Sequence, residues 1–92
     1  MAKKSAKKPL QFTLDGELSI YRASELKATF LAQLQDTTEL NVDLSGVTEI
    51  DTAGVQLLMM LKKEAAQLGK TVSLSNHSAA VISVFEAINV AG

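Results

Sequence analysis

The candidate side chains for chemistry fall within residues 42–54, VDLSGVTEIDTAG, chiefly the carboxylates of Asp43, Glu49 and Asp51 and the hydroxyl of Thr52. Two carboxylates could share acid–base work, and the group could hold Mg²⁺. The segment brings no companion base and no glycine-rich phosphate loop, so solvated or capping acids are the plainer assignment. His77 is the single histidine, and cysteine is absent. A thiol nucleophile, a thiolate metal site and a multi-histidine zinc site are therefore excluded. His77, between Asn76 and Ser78, reads as a surface loop residue. No catalytic residue, metal ligand or cofactor is assigned, and the expectation is a protein that is not an enzyme.

Thr52 stands at the predicted start of a long helix. Either it or Asp51 can serve as the N-cap, which contributes about 1 kcal/mol by accepting from an unpaired backbone N–H. The hydroxyl can equally be a phosphoacceptor, because free N–H groups and the helix dipole favour an anion there. A phosphate would add about −1.5 to −2 charges near pH 7 beside Asp51 and Glu49. Further along, Val55 and Met59 fall away from the leucine stripe, beside Lys62. A Val–Met line next to Thr52 reads as a partner surface, since methionine suits adaptable contacts, or as a face covered by another element.

These residues need elements to hold them. Leu10, Phe12 and Leu14 alternate with polar residues, as on a half-buried strand. Asp15-Gly16 follows, a dipeptide favoured in hairpin turns, and Leu18 and Ile20 resume the alternation. Ala23, Leu26, Phe30 and Leu34 share a helical stripe ending near Asp36. Leu40, Val42 and Leu44 predict a strand, Ser45-Gly46 a break, and residues 47–50 a short extended piece. Leu57, Leu58, Leu61, Ala65 and Leu68 predict the long helix, with Gly69 as its terminating glycine. Residues 71–75 predict another strand. Ser78 predicts an N-cap for a last helix burying Val81, Val84, Phe85 and Ile88. Strands separated by helices need crossovers. The expected fold is α/β: a mostly parallel sheet of four to five strands, an antiparallel edge hairpin, and helices mainly on one face.

Composition bounds the rest. The 92 residues suit one domain. With 4% aromatic and no Trp, the core must be built from Leu, Val, Ile and Ala. Residues 1–8, MAKKSAKK, read as a flexible basic tail and residues 9–92 as a single domain. Net charge is −1, but without the four tail lysines five basic residues face ten acidic ones. An acidic body disfavours nucleic acid. No apolar run approaches the roughly 18 residues of a membrane span. A cytoplasmic location without membrane insertion is expected.

The ordered segments GEL (16–18), VDLSGV (42–47), IDTAG (50–54), LLMMLKKEAAQLGK (57–70) and HSAAVISVFEAINV (77–90) closely resemble a STAS domain, the domain of bacterial anti-sigma factor antagonists. IDTAG before a leucine-rich helix is the most specific part. The resemblance implies a non-enzymatic, cytoplasmic regulator in partner switching. Its partner is an anti-sigma factor with serine/threonine kinase activity, which phosphorylates the hydroxyl residue after the aspartate and so breaks the complex; a phosphatase restores it. On this chain the acceptor is Thr52, and Asp51, Thr52, Ala53, Gly54, Val55, Met59 and Lys62 supply the partner surface within residues 51–63. The chain departs from many relatives in having Thr52 where serine is common and Ala79 where proline opens the last helix. Similar short STAS proteins serve as constitutive subunits beside the ATPase of lipid-transporting ABC systems, or accompany chemotaxis complexes.

Overall fold

The structure, a computed structural model, describes residues 9–88. The expected basic tail, residues 1–8, lies outside the described residues. Three strands and three helices alternate: β1 (Leu10–Leu18), α1 (Ile20–Gln35), β2 (Glu39–Ile50), α2 (Thr52–Gln67), β3 (Thr71–Ser75) and α3 (Ala79–Ala87). The sheet order is β1-β2-β3, and both pairings are parallel.

Three expectations are corrected by the sheet. Among the described residues the sheet has three strands, not four or five, and no antiparallel hairpin. Asp15-Gly16 does not turn the chain back. Gly16 adopts φ 76° inside β1, and the register against β2 shifts on either side of Asp15-Gly16. The dipeptide therefore supplies the left-handed residue of a bulge, and the strand continues in the same direction. The Arg22 guanidinium donates to the carbonyl oxygens of both Asp15 and Glu17, bracketing the irregular segment. Nor does Ser45-Gly46 interrupt β2. Gly46 lies opposite Asp15, where a Cβ would sit 2.7 Å from Asp15 Cβ. The glycine lets two backbones pass closely within one continuous strand.

One face of the sheet is apolar. Leu40, Val42 and Leu44 of β2 are buried in one core with Phe30 and Leu34 of α1 and Leu58, Leu61 and Ala65 of α2. Phe12 meets Phe30 edge-to-face at 5.3 Å, a geometry that ring quadrupoles favour. The intervening residues carry polar links: Ser75 Oγ donates to Asn41 Oδ1 at 2.7 Å, and Gln11 and Asn76 donate to Asp43. β3 pairs with β2 only as far as Asp43, and α3 packs against β2 with Val81 and Phe85 buried.

Each helix begins on a side-chain acceptor. Ser19 accepts from Tyr21 N–H, Asp51 from Gly54 N–H and Ser78 from Val81 N–H. The first cap starts α1 at Ile20, so Ile20 is not the buried end of a strand but an exposed helical residue.

Candidate functional site

Chain direction places the site. In parallel strands the carboxyl ends point the same way, and the loops beyond them gather at one rim. Leu18 pairs with Ile50 at the ends of β1 and β2. The next residues, Ser19 and Asp51, are the caps of α1 and α2. Two helix N-termini therefore meet at this rim.

Asp51 joins them. Its Oδ1 accepts from Gly54 N–H at 2.9 Å, and its Oδ2 from Ile20 N–H at 3.3 Å. Its own N–H donates to the Leu18 carbonyl at 3.3 Å. One carboxylate thus satisfies an open N–H on each of two helices, with its charge toward both positive dipole ends.

Gly54 is buried on the inner side of this junction. A Cβ there would collide with the Leu18 carbonyl oxygen and lie 2.9 Å from Leu18 Cγ and 3.0 Å from Ile50 Cγ1. Glycine is what lets the first turn of α2 sit against the end of β1.

Of the two residues able to cap α2, Asp51 does so. Thr52 is the exposed first residue of the helix. Its side chain makes no hydrogen bond among the described residues. Ala53 is half-buried beside it. Met59 and Lys62 are also half-buried, Met59 packing partly on the core. Val55 corrects the sequence reading. It is 3% exposed and belongs to the core, because the buried arc of α2 is wide enough to take Gly54, Val55 and Leu58 together. Beyond Thr52, α2 leaves Gln56, Lys63, Ala66 and Gln67 exposed, with Met59 partly open between Gln56 and Lys63.

The three carboxylates are not brought together. Asp43 is buried, accepting from Ser45 N–H at 2.8 Å, Asn76 Nδ2 at 2.9 Å and Gln11 Nε2 at 3.5 Å. Hydrogen bonds from the Ser45 backbone, the Ser45 side chain and Asn76 hold it below its ordinary value of 3.8, against the opposing effect of burial. Glu49 and Asp51 instead line a depression of about 130 Å³ with Glu17, Ser19 and Ile50. Among the described residues no cluster of three His, Cys, Asp or Glu could hold a metal ion. No helix there is long and apolar enough to cross a membrane. His77 is half-buried, its ring edge-to-face with Phe85 at 5.6 Å.

Two residues to which the sequence reading gave no surface role, Ile20 having been assigned to a strand, stand at the same rim. Ile20 is 64% exposed and Tyr21 is 87% exposed. Ser19 before an apolar pair was the available signal, since serine is a strong N-cap.

The family model described as "Mlab, STAS domain" matches residues 1–92. The structure is similar to that of the anti-sigma factor antagonist SpoIIAA in its unphosphorylated form, with TM-score 0.74, 21% identity, and coverage of 96% of this chain and 78% of that one. A sulfate transporter family protein from Wolinella succinogenes matches with TM-score 0.72, 16% identity, and coverage of 88% of this chain and 66% of that one. The SulP transporter STAS domain from Vibrio cholerae matches with TM-score 0.65, 17% identity, and coverage of 91% and 66%. At such identities the likeness is one of fold. No curated protein matches.

Proposed function

Because the chain belongs to the STAS-domain family, we propose that it is a non-enzymatic regulatory module that docks a protein partner through residues 51–63 and is switched by phosphorylation of Thr52. The observation that carries the reading is the division of labour between neighbours. Asp51 caps α2, which leaves the Thr52 hydroxyl exposed and uncommitted at a helix N-terminus. A partner kinase would transfer the terminal phosphoryl group of a nucleoside triphosphate to Thr52 Oγ, releasing the diphosphate and the hydroxyl proton. The N–H groups of the first turn tolerate the phosphate, so the domain stays folded. The contact surface, however, gains a dianion beside Asp51 that must be desolvated on docking. A kinase of the anti-sigma type and an opposing phosphatase, in the bacterial cytoplasm, fit this chemistry.

The reading is tested by the affinity of the native partner for wild type, Thr52→Ala and Thr52→Glu. Weakened binding by Thr52→Glu alone is expected; equal affinities for all three remove the switch. A second reading is a constitutive STAS subunit of a transporter, in which Thr52 is a contact residue only. Its support is that two of the similar structures are named as transporter proteins. It predicts a stable complex in the native cell with no phosphothreonine in this chain.

A further inference from the structure

Resting on the docking reading above, we infer that the partner surface is composite: Ile20 and Tyr21 of α1 form its second half, and they fit a protein partner offering an apolar socket bordered by lysine or arginine.

Exposed side chains are individually unremarkable, but these two are consecutive, large and on the first turn of α1, at 64% and 87% exposure. Asp51 fixes their position by holding the Ile20 N–H, and the same carboxylate starts the helix that carries Thr52. The two halves thus share one junction. A tyrosine held on a helix supplies large contact area at little entropic cost, which is why such residues dominate binding energy.

Charge identifies the occupant. Glu17, Glu49 and Asp51 line the depression beside this junction, and exposed Glu25 lies one turn beyond Tyr21. Arg22 does not offset them toward a partner, because its guanidinium is committed to the carbonyls of Asp15 and Glu17. A basic rim on the partner complements this border and steers the encounter there, while Lys62 and exposed Lys63 give the α2 end of the surface the opposite sign. Thr52 follows Asp51, between the Ile20–Tyr21 end and the Met59 face. A phosphate there adds a dianion that must be desolvated on docking.

Photo-crosslinking residues are placed at Tyr21, Gln56 and, as a control, exposed Ile82 of α3 in the full chain in its native cell. The protein captured is identified, purified and titrated with wild type, Tyr21→Ser, Ile20→Ser, Ile82→Ser and Thr52→Glu. The same protein crosslinked at positions 21 and 56 is expected. Tyr21→Ser should weaken its binding about tenfold or more, with no effect of Ile82→Ser. Binding should also weaken as salt rises from about 50 to 300 mM. Capture at position 56 without position 21, no capture at either, or a wild-type affinity for Tyr21→Ser overturns the inference. So does a self-dimer lost in Tyr21→Ser, which would assign the surface to a second copy. Failure of Thr52→Glu alone to weaken binding strikes the switch and leaves the composite surface standing. Unchanged melting of each variant separates binding from folding.

Discussion

Asp51 and Ile20, 31 positions apart, are joined by a hydrogen bond of 3.3 Å from the Ile20 N–H to Asp51 Oδ2. The other carboxylate oxygen caps α2. Removing this side chain opens two helix ends at once. Asp51→Ala should cost about 1–2 kcal/mol, the upper part of the usual range for a cap. Asp51→Asn, itself a good cap, should cost less. Urea unfolding of the two variants measures the difference: asparagine keeps one acceptor oxygen, so a wild-type stability for Asp51→Asn would show that the second acceptor contributes nothing.

Gly54→Ala would ordinarily strengthen a helix by roughly 0.5–1 kcal/mol. Here the added methyl meets the Leu18 carbonyl and side chain, and backbone cannot move aside cheaply. A net destabilisation of about 1–3 kcal/mol is expected. The Ile20 and Thr52 amide resonances should shift with it, because the clash lies beneath the junction that holds both. A thermal melt and an NMR amide map test the two parts.

Acid should act through Asp43. Its pKa is lowered by Ser45 and Asn76. A carboxylate so depressed adds stability above its unfolded pKa and loses it as pH falls through the folded value. The urea midpoint should therefore hold from neutrality down to about pH 4 and fall below it. Asn76→Ala removes one of the bonds holding the carboxyl down, so the loss attributable to Asp43 should shrink in that variant. An acid profile of identical slope would contradict the assignment.

Val55 and Met59 should separate stability from binding. Val55 is core, so Val55→Ala should lower stability by about 1–2 kcal/mol. Met59 packs on the core only in part, so Met59→Ser should disturb the melt less and partner affinity more. Denaturation and titration of both variants check the pair.

What the chain makes legible follows from range. Helix stripes and caps are local, and Leu26, Phe30, Leu34, Leu61, Val81 and Phe85 are buried at the expected spacing, with Ser78 as the expected cap. The Thr52 segment was visible for the same reason: Asp-Thr-Ala-Gly before a leucine stripe is a local pattern. The hairpin was misread because Asp15-Gly16 is compatible with either a turn or a bulge. The choice is made by β2, whose register at Gly46 and Val47 receives the irregularity. Val55 was misplaced because helical angle alone does not say how wide an arc the sheet and α1 will cover. Ile20 was read into a strand and Tyr21 was given no role, since exposure of apolar residues is a property of the assembled surface.

The all-parallel pairing has a kinetic consequence. Leu10 meets Leu40 and Glu39 meets Thr71, so each strand waits for one roughly thirty residues later. Among the described residues no hairpin zips up locally, so each sheet pairing there must first meet the entropy of closing a long loop. The helices are the segments that can form early, on their own caps. The terminal halves of β1 and β2, where Asp51 finally ties Ile20 to Gly54, are then expected to assemble late, so that this rim exists only in the fully folded chain.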